Sequence, residues 1–170
     1  MKFSTASLLN IIVENNSSCF VLATIASTLG SSYRKSGSMV LIDENLITHG
    51  LLSGACIESD VAARAEMVFA DKKTYVQRYD LQPGMDDVFG FNIGCDGIID
   101  IIFEYLSPQN EYKGLLQLNE QLNAGHNCEI LKVYQSSSAE LAIGAKIISC
   151  NEETLWSNSP LDKNELRAAK

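Results

Sequence analysis

The sequence predicts an α/β protein, with a mixed sheet, hairpins and flanking helices in a single compact domain. Apolar residues recur at helical spacing in some segments and form short strand-like runs in others along the 170 residues. Turn-forming residues 43–45 separate two short apolar runs, which indicates a hairpin that a parallel βαβ unit cannot supply. A hydrophobic fraction of 46% and a charged fraction of 20% are typical of globular proteins. We expect the domain to span residues 1–160, with 161–170 as a tail or linker.

The first half of the chain gives the clearer elements. Leu8, Leu9, Ile12 and Val13 share one helical face, which predicts an opening helix over residues 7–14. A run of branched and aromatic residues then predicts a buried strand. The predicted strands of this half cover residues 19–27, 39–42 and 46–50.

The second half begins with a helix over residues 57–72, whose apolar positions recur at helical spacing and whose first turn carries Glu58 and Asp60. Strands follow at 74–79 and 97–103, separated by a turn around Pro83-Gly84. Beyond Pro108 the pattern is weaker. It predicts a helix near 111–123, strands near 129–134 and 141–149, and a short helix from Asp162.

Composition excludes several classes of function. A net charge of −8 and a pI near 4.7 disfavour binding to nucleic acid. No segment approaches the roughly 20 apolar residues of a membrane span, and the apolar stretch at residues 8–13 is too short for a signal peptide. The sequence therefore predicts a cytoplasmic protein. Five widely spaced cysteines without a CxxC pair fit neither a disulfide framework nor structural zinc.

A glycine- and serine-rich loop follows the first predicted strand. It combines flexible glycines with hydroxyls and two adjacent cations, and this chemistry suits a phosphate. A solvated turn whose cations face water explains the same residues. The candidate binding residues of this loop are Gly30, Ser31, Ser32, Arg34, Lys35 and Gly37.

A second candidate segment, Ser53-Gly54-Ala55-Cys56, precedes the predicted helix that contains Glu58. Free N–H groups and the dipole at a helix N-terminus attract anions and lower the pKa of a thiol. The alternative is a buried cysteine that packs as a small hydrophobic residue. If the thiol is activated, Cys56 is also a candidate for a thiol enzyme or sulfur carrier.

The third candidate segment contains Gly94, Cys95 and Gly97, small residues that can form an anion-binding backbone nest or simply a tight turn. Two further hypotheses involve the cysteines. A metal site would need Cys56, Cys95 and His49 to converge through folding, since no local spacing supports one. A nucleophilic cysteine and histidine pair would use His49 or His126, and neither lies in a recognisable motif.

Together, these three ordered segments resemble the XdhC/CoxI family of xanthine dehydrogenase accessory factors. The resemblance covers roughly residues 7–106 and includes Tyr79-Asp80-Leu81 after a predicted strand. It implies a cytosolic factor that binds molybdenum cofactor and shields it while a sulfido ligand replaces a terminal oxo ligand. The cofactor then passes to a molybdenum hydroxylase, with a cysteine desulfurase as a further partner. Such a protein is a chaperone more than a catalyst.

The resemblance also implies roles for individual residues. The loop over 30–37 would hold the pterin phosphate, and Cys56 and Cys95 would lie near the molybdenum. The complete set of implied cofactor-binding residues is Gly30, Ser31, Ser32, Arg34, Lys35, Gly37, Ser53, Gly54, Cys56, Glu58, Gly94, Cys95 and Gly97. The sequence departs from the family pattern at Tyr33 and Ser36, where proline is frequent, and at Ala55 and Asp96, where glycine is usual.

Family members commonly continue into a Rossmann-like second domain, for which this sequence has no G-x-G-x-x-G motif. We therefore expect either a short member of the family or a shortened form of a longer one, with a homodimer as one arrangement. A third hypothesis is a pure interaction module that docks onto a hydroxylase or a desulfurase through the weakly patterned half after Pro108.

Overall fold

The computed structural model describes residues 4–52, 57–81 and 97–168. The chain divides into two compact units. The central unit comprises Phe20–Tyr105, and the terminal unit comprises Met1–Cys19 together with Leu106–Lys170. The division after Tyr105 lies close to Pro108, where the sequence pattern changes character.

Four α-helices and eight strands make up the described part of the chain. A 3₁₀ segment, Pro108–Gly114, lies between the fifth strand and the third helix. In chain order the elements are α1 (Thr5–Glu14), β1 (Phe20–Leu29), β2 (Met39–Asp43), β3 (Thr48–Gly50), α2 (Glu58–Asp71), β4 (Tyr75–Asp80), β5 (Ile98–Leu106), α3 (Leu115–Asn123), β6 (Cys128–Lys132), β7 (Lys146–Cys150), β8 (Glu153–Ser157) and α4 (Lys163–Ala168).

The central unit contains a five-stranded sheet in the order β3-β2-β1-β5-β4. The pairs β1–β2, β2–β3 and β4–β5 are antiparallel. Asp43 forms the turn of the β2–β3 hairpin, because its Oδ1 accepts hydrogen bonds from the backbone N–H groups of Asn45 and Ile47 at 2.9 and 3.0 Å. An aspartate side chain that binds the backbone ahead of it is a common way to fix a turn. The predicted hairpin is confirmed.

Helix α2 packs its apolar face onto this sheet. Val61, Ala65 and Val68 are buried along the helix at the expected spacing. They share one hydrophobic cluster with alternate residues of the strands, because successive strand side chains point to opposite faces. The strand residues of this cluster are Val21, Ala23, Ile25, Val40, Ile42, Ile99, Ile101 and Phe103.

The terminal unit contains the antiparallel sheet β6-β7-β8 and a helix pair. Helix α1 begins at an N-cap, Ser4, whose Oγ accepts the N–H of Ser7 at 3.1 Å. It packs against α3, and both helices bury leucines. Helix α4 contributes Leu166 to a cluster with Val133 and Ile147. The predicted domain limits of 1–160 and 161–170 stay predictions, although α4 lies within the second range.

The predicted α/β class with hairpins and flanking helices is confirmed. Three elements of the terminal unit differ from the sequence prediction. The strand expected near 141–149 begins only at Lys146. The helix expected near 111–123 begins only at Leu115, because Glu111, Tyr112 and Lys113 take positive φ angles of 52°, 49° and 50°. Strand β8 was not predicted at all. It follows a two-residue turn, Asn151-Glu152, in which both φ angles are positive.

Candidate anion-binding site

The loop between β1 and β2 is hydrogen-bonded to β1 at the end where it meets β2, and it has a further hydrogen bond within. Backbone hydrogen bonds join Ile25 N–H to the Ser38 carbonyl at 2.9 Å and Gly37 N–H to the Ile25 carbonyl at 2.8 Å. Inside the loop, the hydroxyl of Ser32 donates to the carbonyl of Arg34 at 2.8 Å. Gly30 and Gly37 have φ angles of 80° and 87°, which other residues rarely adopt. The loop therefore has a defined shape set by its glycines.

Two cations belong to this loop, and they lie in different environments. Lys35 is exposed, whereas Arg34 is half-buried with its guanidinium 5.9 Å from the ring centroid of Tyr33. The Nε atom of Arg34 is fully buried and has no hydrogen-bond partner among the described residues. A buried charged donor is stabilised when an acceptor binds it, so this atom is a candidate donor to a ligand. An anion bound at the loop would supply the acceptor.

Gly97 brings the third predicted segment against the first. A Cβ atom added at Gly97 would lie 2.4 Å from the carbonyl oxygen of Ser31 and 2.8 Å from that of Leu29. Only glycine permits this close backbone approach. The structure thus unites residues that are 66 positions apart in the sequence, as the predicted common site requires.

The second predicted segment is described only at its flanks. Ser53, Gly54 and Cys56 lie outside the described residues, as do Gly94 and Cys95. Leu52 and Ile57, on either side of the first of these gaps, are 1% and 3% exposed and belong to the same hydrophobic cluster as Ile25 and Ile99. Glu58 is half-buried as the first residue of α2.

The start of α2 is fixed to the edge strand of the sheet. The Tyr79 hydroxyl on β4 donates to Oδ2 of Asp60 at 2.6 Å, and Arg64 Nε lies 3.4 Å from the same oxygen. Burial, followed by the bond to the Asp60 carboxylate, raises the pKa of Tyr79. The phenol therefore remains a donor, and it holds the first helical turn in place.

Sequence reasoning missed a polar cluster on three neighbouring strands. Asp100 on β5 is 5% exposed, accepts the Ser27 hydroxyl at 2.6 Å, and binds Arg78 Nε and Nη2 at 2.8 and 3.1 Å. The Arg78 guanidinium, and then Ser27, hold the pKa of Asp100 below its usual value against the opposing effect of burial. The cluster joins β1, β5 and β4 close to the loop and to Gly97. One acid within the apolar run 98–103 was its only sequence signal.

The predicted metal site is not assembled from described residues. Within 4–52, 57–81 and 97–168, no group of three or more His, Cys, Asp or Glu residues could hold a metal ion. His49 instead places Nε2 3.2 Å from Oδ2 of Asp43. His126 places Nδ1 2.7 Å from Oε1 of Gln121. A role for Cys56 and Cys95 near a metal stays a prediction, because both lie outside these ranges.

No helix in the described part of the chain is both long enough and apolar enough to cross a membrane.

Comparison with known proteins finds similarity to one family. Residues 15–80 match the model of the XdhC and CoxI family, so the resemblance drawn from the sequence motifs is confirmed. The match includes the first two candidate segments and ends before the third.

Two individual proteins extend this result. A protein of Bacillus subtilis (strain 168), described as a probable xanthine dehydrogenase subunit, is 36% identical over 89 residues, which are 52% of this chain and 27% of that protein. A crystal structure described as a xanthine dehydrogenase from Bacillus halodurans has a TM-score of 0.77 and 28% identity, and the similarity covers 96% of this chain and 47% of that one. The chain thus spans about a quarter of the first protein and about half of the second.

Proposed function

We propose that the chain is an accessory factor for a xanthine dehydrogenase-type molybdenum hydroxylase, which binds molybdenum cofactor, supports its sulfuration and passes it to the hydroxylase. The family match over residues 15–80 and the names of the two similar proteins support the hydroxylase as partner. The observation that carries the binding role is the buried, unpartnered Nε of Arg34 in the loop that contacts Gly97.

The chemistry of the loop fits the phosphate end of the cofactor. Arg34 offers a guanidinium, which binds phosphate oxygens through parallel N–H groups, and exposed Lys35 adds a second positive charge. The hydroxyls of the adjacent residues Ser31 and Ser32 are not equivalent. Ser32 already donates its hydrogen to the Arg34 carbonyl, so Ser31 is the hydroxyl that we expect to donate to a phosphate. Gly30 and Gly37 supply the loop conformation and not the contacts.

Cys56 and Cys95 would act at the molybdenum end, because thiolates are soft ligands that suit a thiophilic metal centre. Gly97 lies against the loop and follows Cys95 by two residues in the sequence, which is why we assign this cysteine to the same site. Ser53, Gly54 and Gly94 would allow close approach of the cofactor. Glu58 belongs to the proposed cofactor-binding set together with Ser53, Gly54, Cys56, Gly94 and Cys95.

A binding measurement tests the Arg34 role. We would titrate the purified chain with molybdopterin and compare the wild type with Arg34→Ala, Arg34→Lys and the control Lys73→Ala. Lys73 is an exposed cation after α2, so its removal makes the same change in net charge outside the loop.

Loss of a hydrogen bond to a charged group costs about 1.5–3 kcal/mol, so Arg34→Ala should weaken binding roughly 10- to 150-fold. Arg34→Lys keeps the charge and loses Nε, and it should also bind more weakly than the wild type. Lys73→Ala should bind as the wild type does. Equal affinity of Arg34→Ala and the wild type, or no binding at micromolar protein, would refute the proposal.

Delivery needs a second experiment with a cofactor-free hydroxylase. The chain loaded with molybdenum cofactor should restore hydroxylase activity, and addition of a cysteine desulfurase with cysteine should increase it. The Cys56→Ser variant would distinguish binding and transfer of the cofactor from a reaction of the Cys56 thiol. A variant that still binds the cofactor but no longer supports sulfuration would favour the thiol enzyme or sulfur carrier.

Two predictions about assembly remain. Light scattering would test for a homodimer, and deletion of the residues after Pro108 would test whether they form a docking surface.

A further inference from the structure

Two cysteines of the terminal unit face each other across neighbouring strands. Cys128 at the start of β6 is opposite Cys150 at the end of β7, in an antiparallel pair whose register is regular from Cys128 to Lys132. Both are free thiols. Neither belongs to the candidate anion-binding site or to the segment that matches the XdhC and CoxI family.

The hydrogen-bond pattern of this hairpin shows which kind of pair they form. The N–H of Val133 donates to the carbonyl of Ala145 at 2.8 Å, and the Val133 carbonyl accepts the N–H of Gly144 at 2.8 Å, so the main-chain groups of Val133 point toward the partner strand as in a hydrogen-bonded pair. Paired positions in an antiparallel ladder alternate between hydrogen-bonded and non-hydrogen-bonded. Cys128 is five positions before Val133, an odd number of steps. Cys128 and Cys150 are therefore a non-hydrogen-bonded pair.

That geometry brings the two thiols close together. Residues in a non-hydrogen-bonded pair have Cα atoms about 4.5 Å apart and side chains on the same face of the sheet. Disulfides span Cα separations of about 4.4–6.8 Å. Cys150 is 4% exposed, and its sulfur lies 3.4 Å from the Asn127 carbonyl oxygen and 3.8 Å from Oε1 of Gln121. Cys128 is half-buried and is the thiol that solvent reaches.

We propose that Cys128 and Cys150 are a redox-active dithiol that closes to an intramolecular disulfide when it reacts with a low-molecular-weight disulfide such as oxidised glutathione. The thiolate of Cys128 attacks one sulfur of glutathione disulfide, which breaks the S–S bond and releases one glutathione thiolate. The thiolate of Cys150 then attacks Sγ of Cys128 and expels the second glutathione. Two protein thiols are oxidised, one glutathione disulfide is reduced to two glutathione molecules, and these take up the two protons.

The environment of Cys128 sets the rate of the first step. Burial, followed by the hydrogen bond with its partner Cys150, raises the pKa of Cys128 to about 11. Because the thiolate is the attacking form, exchange is slow at neutral pH. The disulfide would join β6 to β7 at the end of the hairpin remote from the connecting segment 133–145 and would enclose residues 129–149.

Peptide mapping tests the pairing directly. The full chain is incubated with oxidised glutathione in alkaline buffer, alkylated and digested with trypsin. Cleavage after Lys132 and Lys146 places the two cysteines on separate peptides, so a disulfide between them gives a distinct linked species. We expect that species to form, to vanish on reduction, and to raise the thermal midpoint of the chain. Cys19→Ser should leave it unchanged.

The single variants follow the order of the steps. Cys150→Ser should accumulate one glutathione on residue 128, and Cys128→Ser should give no linked species. Wild-type mapping tests the pairing even if a variant fails to fold. A wild-type chain that carries glutathione on Cys128 without the link would overturn the proposal. The proposal would also be overturned if Cys128 and Cys150 of the folded chain stayed unmodified under conditions that oxidise the chain unfolded in urea.

Discussion

Gly97 offers the sharpest test of how the candidate site is held together. Its φ is not in the left-handed region, so alanine can adopt the backbone conformation, and any cost must come from the space that a Cβ needs. That Cβ would lie 2.4 Å from the carbonyl oxygen of Ser31, and real Cβ contacts are essentially never shorter than 3.0 Å. The loop must therefore move by at least about 0.6 Å, the difference between these two distances.

We expect Gly97→Ala to lower the free energy of unfolding by about 3 kcal/mol, the upper end of the usual cost of overpacking. The expected cost is high because both obstructing atoms, the carbonyl oxygens of Ser31 and Leu29, belong to backbone and cannot rotate away. Urea unfolding measures the change. Gly97→Asn, with its larger side chain, should be worse than Gly97→Ala.

Gly37 is the matched control, because it is required for the opposite reason. Its φ is +87° and an added Cβ would meet nothing within 4 Å. Gly37→Ala should cost about 1–2 kcal/mol for the left-handed conformation, and Gly37→Asn should cost less, since asparagine tolerates that conformation. The ranking of alanine and asparagine should thus reverse between the two sites. Asparagine better than alanine at both positions, or a neutral Gly97→Ala, would contradict close packing as the reason for glycine at position 97.

Two further predictions concern the contacts of the buried residues Asp100 and Gly114. Arg78 holds the folded-state pKa of Asp100 below the unfolded value near 3.9, so its stabilisation is present above that pH and is lost as pH falls through the folded pKa. Asp100→Asn should cost about 1–3 kcal/mol at neutral pH and should weaken the acid dependence of urea unfolding; an unchanged acid limb would contradict this. Gly114→Ala places a Cβ 2.5 Å from Trp156, at a φ of +81°. It should shift the fluorescence of this single tryptophan and destabilise more than Gly125→Ala, which has a similar φ of +82° and open space.

Local sequence patterns predicted a feature correctly where neighbouring residues in the sequence form that feature by themselves. The hairpin of β2 and β3 was predicted because turn-forming residues 43–45 separate two short apolar runs, and in the structure Asp43 of that turn binds the backbone ahead of it. Helix α2 was predicted because its buried residues repeat at helical spacing. The loop over residues 30–37 was found because glycine, hydroxyl and cationic residues are unusual together after a buried strand. In each case the residues that form the feature are also its sequence signal.

The turns of the terminal unit show where local patterns fail. Glu111, Tyr112 and Lys113 adopt positive φ without a glycine, so their composition resembles that of a helix. Tyr112 is held there from a distance, since its hydroxyl donates to the Ser18 carbonyl at 3.0 Å. Glu152 occupies the second position of the β7–β8 turn, where glycine is the usual residue. The absence of that glycine concealed the hairpin and with it β8.

Strand pairing explains why the sequence alone did not locate the Cys128 and Cys150 pair or the contact of Gly97 with the loop. An odd number of widely spaced cysteines argues against a framework of several disulfides. It does not address a single pair, whose proximity depends on which residues face each other across two strands. A shift of one residue in register would move Cys128 to the opposite face from Cys150. Gly97 and Ser31 likewise meet only through the sheet, because 66 residues separate them and they flank the neighbouring strands β5 and β1. Both sites are therefore properties of strand pairing, and local spacing along the sequence cannot locate either of them.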